Sequence, residues 1–107
     1  MSSRLWGAVT DKEIHEHNDK LRNDPHFDPS YRQIVDLTGI TEIKVSTVTI
    51  NETSLNQIFN PGTRRAMVAT SDATFGMARM YALRAEGLGQ TVEVFRDWPP
   101  AEEWLGI

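Results

Sequence analysis

The sequence predicts a single-domain α/β fold, and three observations predict it. Short runs of strand character alternate along the chain with segments of helical spacing. The connections between them are short, as helical crossovers between parallel strands require. The 107 residues contain no linker, repeat or low-complexity tract, and a chain of that length makes one domain. Roughly two-thirds of its unfolded surface can be buried, which is enough for one core.

Taken in order, Arg4-Leu5-Trp6-Gly7-Ala8-Val9 reads as a short strand. Thr10 and Glu13 have capping-box spacing and open a helix. Ile14, Leu21 and either His17 or Asn18 share its inward stripe, and Asn23-Asp24-Pro25 ends it. Residues 24–31, with two prolines, form a loop. Gln33 to Leu37 is a strand, and Thr38-Gly39 is expected to turn the chain. Glu42 to Val45 is extended despite the β-branched residues that run on to Ile50. Thr49 and Glu52 repeat the capping-box spacing, and Leu55, Ile58 and Phe59 follow at helical intervals, so a helix begins within 46–49 and reaches Phe59. Asn60-Pro61-Gly62 stops it.

The second half is the clearest stretch. Arg65 to Thr70 is an apolar strand closed by Ser71-Asp72, and a helix covers 72–86 until Gly87-Leu88-Gly89 breaks it. Thr91 to Phe95 alternates as a strand. Asp97 sits where it can cap a last helix with Pro99 and Pro100 in its first turn.

Composition excludes several classes of function. Hydrophobic residues make up 39% and charged residues 24% of the chain, with a mean hydropathy of −0.42. The net charge of −4 argues against nonspecific binding to nucleic acid or anionic membranes. Without cysteine there is no disulfide, thiol nucleophile or thiolate metal site. No run spans a membrane and no signal-peptide core follows the N-terminus, so the expected location is the cytoplasm.

Several stretches together resemble the bacterial SpoIIAA-like proteins, relatives of the STAS domains. They are Gly7-Ala8-Val9-Thr10-Asp11, Asp24-Pro25-His26-Phe27, Ile34-Val35-Asp36-Leu37-Thr38, Arg65-Ala66-Met67-Val68-Ala69, Phe75-Gly76-Met77-Ala78-Arg79-Met80-Tyr81, and Val94-Phe95-Arg96-Asp97 with Ala101, Trp104 and Leu105. They cover nearly the whole chain in order. The resemblance implies a mixed, twisted sheet of four to five strands with about four helices, here with a shortened N-terminal strand, so that the first sheet edge is either short or covered by a partner chain. It also implies a phosphorylation switch, a serine in an Asp-Ser-Ser-Gly-like turn. The matching stretch is Lys44-Val45-Ser46-Thr47, which has lost the acidic residue and the glycine and places Val45 or Ser46 at the switch position. Ser46 could accept a phosphate at a helix N-terminus; the plainer role for Ser46 or Thr47 is to cap that helix.

No catalytic signature stands above background. His15 and His17 diverge by about 200° on a helix and cannot share one ion, and His26 lies in a loop. No serine or threonine sits in a nucleophile elbow, so neither a metal, a cofactor nor an enzymatic activity is expected. Asp36 lies inside an apolar strand and should be paired, with Arg79 and Arg96 as the partners. The rim beyond the strand ends would carry Asp36, Thr38, Thr70, Ser71, Asp72 and Asp97.

The helix over 72–86 gives the functional expectation. Ala78, Ala82, Ala85 and Tyr81 share its sheet-facing side, while Met80 and Leu83 point away and Met77 lies at the boundary. The neighbours available to cover that surplus apolar side are residues 55–59 or Trp104-Leu105. The leading reading is a non-enzymatic STAS-like module acting through protein contact, as a homodimer or with another protein, with Met77, Met80 and Leu83 as the surface. The second is a carrier or sensor of a small apolar ligand, which needs a cavity beside that helix. The third is a phospho-switch at Ser46 or Thr47.

Overall fold

Every strand of this chain is followed by a helix that carries it back to the same end of the sheet, which makes neighbouring strands parallel. A computed structural model describes residues 2–55 and 59–106. It contains β1 (Ser2–Thr10), α1 (Asp11–Asn23), β2 (Gln33–Lys44), α2 (Thr47–Leu55), β3 (Arg64–Val68), α3 (Asp72–Gly87), β4 (Thr91–Phe95) and α4 (Trp98–Leu105). The strands form one sheet in the order β1-β2-β3-β4, and all three neighbouring pairs are parallel. The mixed sheet implied by the resemblance is therefore corrected to four parallel strands among the described residues, because no hairpin reverses the chain. β1 also reaches two residues further towards the N-terminus than the Arg4–Val9 run.

Strand order that follows chain order, with right-handed crossovers, puts all three connecting helices on one face of the sheet. There α1 packs on β1 and α2, α2 on α3, and α3 on β2 and β4. The residues beneath them include Val9, Val35 and Leu37 on the strands and Ala69 just past β3. The alternate residues Ile34, Ala66 and Val68 point to the opposite face, where α4 covers them with Ala101 and Leu105. Gly106 ends α4 in the left-handed region at φ 78°, where its N–H reaches the carbonyls of Glu102 and Glu103. A Cβ there would lie 3.0 Å from Arg32 Nη1, which donates to the Leu105 carbonyl.

Four local expectations change. Thr38-Gly39 does not turn the chain; β2 runs through it to Lys44. Arg4 pairs with Asp36 but Trp6 with Gly39, and Gly7 pairs with Ile40 but Ala8 with Glu42. β2 thus accommodates its turn-forming residues as bulges, one extra residue at each shift. Thr10 and Asp97 occupy N-cap positions, yet neither side chain makes the capping hydrogen bond. In α2 the cap is Ser46, whose Oγ accepts from the Thr49 N–H, so Thr49 lies inside the helix. α2 is described as far as Leu55, which is exposed; residues 56–58, Ile58 among them, lie outside the described residues, and Phe59 is buried and not helical.

Candidate functional site

Three helices laid side by side over a sheet must present apolar side chains along their whole inner face to exclude space. α1 cannot, because His17 and Asn18 share its inward stripe with Ile14 and Leu21. Beneath it the sheet is also partly polar, since Gln33 and Arg65 are register neighbours on β2 and β3. A cavity results where α1, α2 and α3 converge on the sheet, with about 830 Å³ of atom-free space including its open mouth. Its walls are mostly apolar, among them Leu5, Ile14, Leu37, Ile50, Met67 and Met77. The part that can hold the centre of a water-sized sphere is about 100 Å³, room for a small occupant.

The polar groups gather towards the N-terminal ends of β2 and β3. Arg65, 6% exposed, donates from Nη1 to the Tyr81 hydroxyl at 2.9 Å. Its guanidinium lies over the Phe59 ring at 4.6 Å and the Tyr81 ring at 5.7 Å. Gln33, 3% exposed, donates from Nε2 to Ser3 Oγ at 2.8 Å. On α2, the buried Thr53 Oγ1 also lines the cavity and has no hydrogen-bond partner among the described residues. His17 completes the wall on α1, and burial, followed by the nearby Lys20 charge, pushes its pKa below the ordinary imidazole value. The cavity therefore has a cationic, hydrogen-bonding end and an apolar body.

The residues singled out from sequence fall in three places. Met77 turns inward and lines the cavity, whereas Met80 and Leu83 are 39% and 60% exposed. Ala78, Ala82 and Ala85 are buried against the sheet as the helical spacing predicts. Trp104 and Leu105 do not cover α3, because α4 packs on the opposite face; α2 is its neighbour.

Asp36 pairs with neither Arg79 nor Arg96. Its Oδ1 accepts from the N–H and hydroxyl of Thr38 at 2.9 and 2.6 Å, satisfying the carboxylate within its own bulged strand. Arg96 instead binds the Thr70 carbonyl at 3.1 Å and Asp72 Oδ1 at 2.8 Å, and lies 4.0 Å from the centre of the Phe75 ring. Ser71 caps α3 by accepting from the Thr74 N–H. Thr70, Ser71 and Asp72 are thus drawn together with Arg96, while Asp97 makes no capping bond and Asp36 with Thr38 forms a separate local unit on β2.

Ser46 ties α1 to α2. Its N–H donates to Asp11 Oδ1 at 2.8 Å and its hydroxyl to Asp11 Oδ2 at 3.0 Å. The hydrogen bond from the Ser46 N–H is the main cause holding the Asp11 carboxyl below its ordinary pKa. Thr47 begins the helix and is exposed. The histidines are dispersed: His15 lies 3.6 Å from Glu52, and the His26 N–H donates to Asp24. No group of three potential metal ligands occurs among the described residues. No described helix is long and apolar enough to cross a membrane.

Sequence reasoning missed Arg65, Gln33 and Thr53. The signal for Arg65 was present: a charged residue on the inward side of an apolar strand demands a buried role, as Asp36 does on β2. Searches against family models, curated proteins and solved structures found no match to this chain.

Proposed function

We propose that this chain is a non-enzymatic binding module, STAS-like in its sequence resemblance, that holds a small apolar molecule in the cavity under α1, α2 and α3. The observation that carries this reading is the cavity itself, with apolar walls and Arg65 at one end. Met67 and Met77 give it an adaptable lining. The Arg65–Tyr81 pair favours an occupant with an acceptor or anionic group at one end of an apolar body. Octanoate and 1-octanol are suitable probes. Calorimetry should detect binding of octanoate, and Met77→Trp, which fills the cavity from α3, should abolish it while the far-ultraviolet spectrum stays folded. Failure of both probes to bind, together with an empty protein by native mass spectrometry, would exclude the reading.

A second reading is protein contact through α3. Exposed Met80 and Leu83 favour it, since Leu83 borders a groove with Arg79, Glu86 and Glu93 beside β4. Co-purification of a partner with the wild type, lost in Leu83→Glu, is its expected result. Phosphorylation at Ser46 or Thr47 is the third reading. A phosphate on Ser46 would gain from the α2 N-terminus but would oppose Asp11, so it would act by parting α1 from α2. Unchanged partner binding in Ser46→Ala would remove it.

A further inference from the structure

Parallel sheets are characteristically covered on both faces, and this one is covered on one and a half. α4 shields β3, β4 and Ile34. Beside it, the same face of β1 and β2 is bare: Arg4, Trp6 and Ala8 are exposed on β1, and Thr38, Thr41, Glu42 and Lys44 on β2. Trp6 stands at the centre of this area, 65% exposed, with the Arg4 guanidinium 5.8 Å from its ring centre. Its register partner is Gly39, where an added Cβ would come within 3.1 Å of Trp6 Cβ. The space beside Gly39 is thus taken up by the chain's own Trp6 Cβ and by Arg4 Nη2, which lies 3.6 Å from where that Cβ would sit.

We infer that a second copy of this chain covers the bare half-face, related by a two-fold axis that runs along the strands between β1 and β2. This operation lays β1 of each copy over β2 of the other at the same height. Trp6 then faces the partner subunit's β2 at the Gly39 row, and Arg4 faces the row of the partner subunit's Asp36, because Trp6 pairs with Gly39 and Arg4 with Asp36 in register. The contact is isologous, as a closed dimer requires. Charge favours it as well. The chain as a whole carries −4, but the charged residues of this face are Arg4, Lys44, Asp36 and Glu42, which sum to zero. Two copies therefore meet without net repulsion, and Arg4 and Asp36 lie in the same row, while Lys44 and Glu42 are 3.5 Å apart within the chain. Layer depth agrees, since a packed helix and a packed sheet both occupy about 10 Å. The partner's β1 and β2 fill the layer beside α4, and the partner's α4 lies along the open edge of β1, which no other described strand pairs.

Sedimentation velocity of the full chain at micromolar concentration tests this surface. The wild type should sediment as a dimer and Trp6→Glu as a monomer. Arg4→Asp and Asp36→Arg should each weaken association by about tenfold or more, and the double variant Arg4→Asp/Asp36→Arg should recover it. Both Asp36 variants lose the bonds to Thr38, so recovery cannot come from refolding that turn. The charge-reversal pair also decides the matter if Trp6→Glu does not fold. A monomeric wild type, a dimer insensitive to Trp6→Glu, a charge-reversal pair without recovery, or a dimer broken by Leu83→Glu instead would each overturn the inference.

Discussion

The two sides of the sheet are closed in opposite ways. α4 has eight residues, yet it brings Ala101 and Leu105 down on Ala66 and Val68 so closely that none of the four is more than 1% exposed. Alanines at the contact let helix and strands approach, and Trp98 and Trp104 seal the margins. α1 has thirteen residues and buries none of them fully. Its inward stripe is half polar, and it faces Gln33 and Arg65, so it leans over the cavity without filling it. Length does not decide how well a helix closes a sheet; the pairing of side chains across the contact does. The consequence is a division of labour: a dry, tightly packed side that fixes the fold, and a loosely closed side with room for an occupant.

The sharpest way to break this comparison is to remove equivalent bulk from each side. Leu105→Ala should cost about 3 kcal/mol, because the site is fully enclosed and collapses poorly around the lost atoms. Ile14→Ala on α1 should cost only about 1 kcal/mol, since its side chain already borders open space and α1 can settle inward. Urea denaturation midpoints measure both. Equal losses would mean that α1 is as firmly seated as α4, and the contrast between the two sides would fail.

The same contrast explains what was legible in the sequence. Where one periodic signal determines both element and partner, the reading held. Ala78, Ala82 and Ala85 mark the buried stripe of α3, and residues 65–68 and 91–95 are adjacent strands. Where local chemistry competes with the ladder, it did not. Thr38-Gly39 has the composition of a turn, but flanking β-branched residues and the pairing of β1 on both sides of it absorb the pair as a bulge. Asp36 needed a partner, and a hydroxyl two residues away proved nearer than any arginine. The cavity was beyond reach for a different reason. It depends on Leu5, His17, Gln33, Thr53, Arg65 and Met77 arriving at one point from six elements, which no spacing along the chain encodes. Only its necessity for the ligand reading, and its position beside α3, could be stated in advance.

The smallest expected effect follows from His17 and sharpens the picture of the loose side. Desolvation, and then Lys20, place its folded pKa below the ordinary 6.5. Below 6.5 the unfolded chain takes up a proton that the folded chain resists, so the unfolded state binds more protons. Stability must then fall as pH drops from about 6.5 through the depressed folded value, and this group adds no further slope beyond it. Asp11 and Asp28, both held below their ordinary value of 3.8 by hydrogen bonds from Ser46 and Ser30, lose their contributions at lower pH, leaving the two windows distinct. Urea midpoints of the wild type and His17→Gln across pH 5 to 7.5, a span of about one unit or more on each side of 6.5, isolate the imidazole. The slope above pH 5 should be shallower in the variant. Because the side chain is only partly buried, solvent screening keeps the difference below that of Ile14→Ala. An identical slope in both proteins would place His17 in water, and α1 would then not wall the cavity at all.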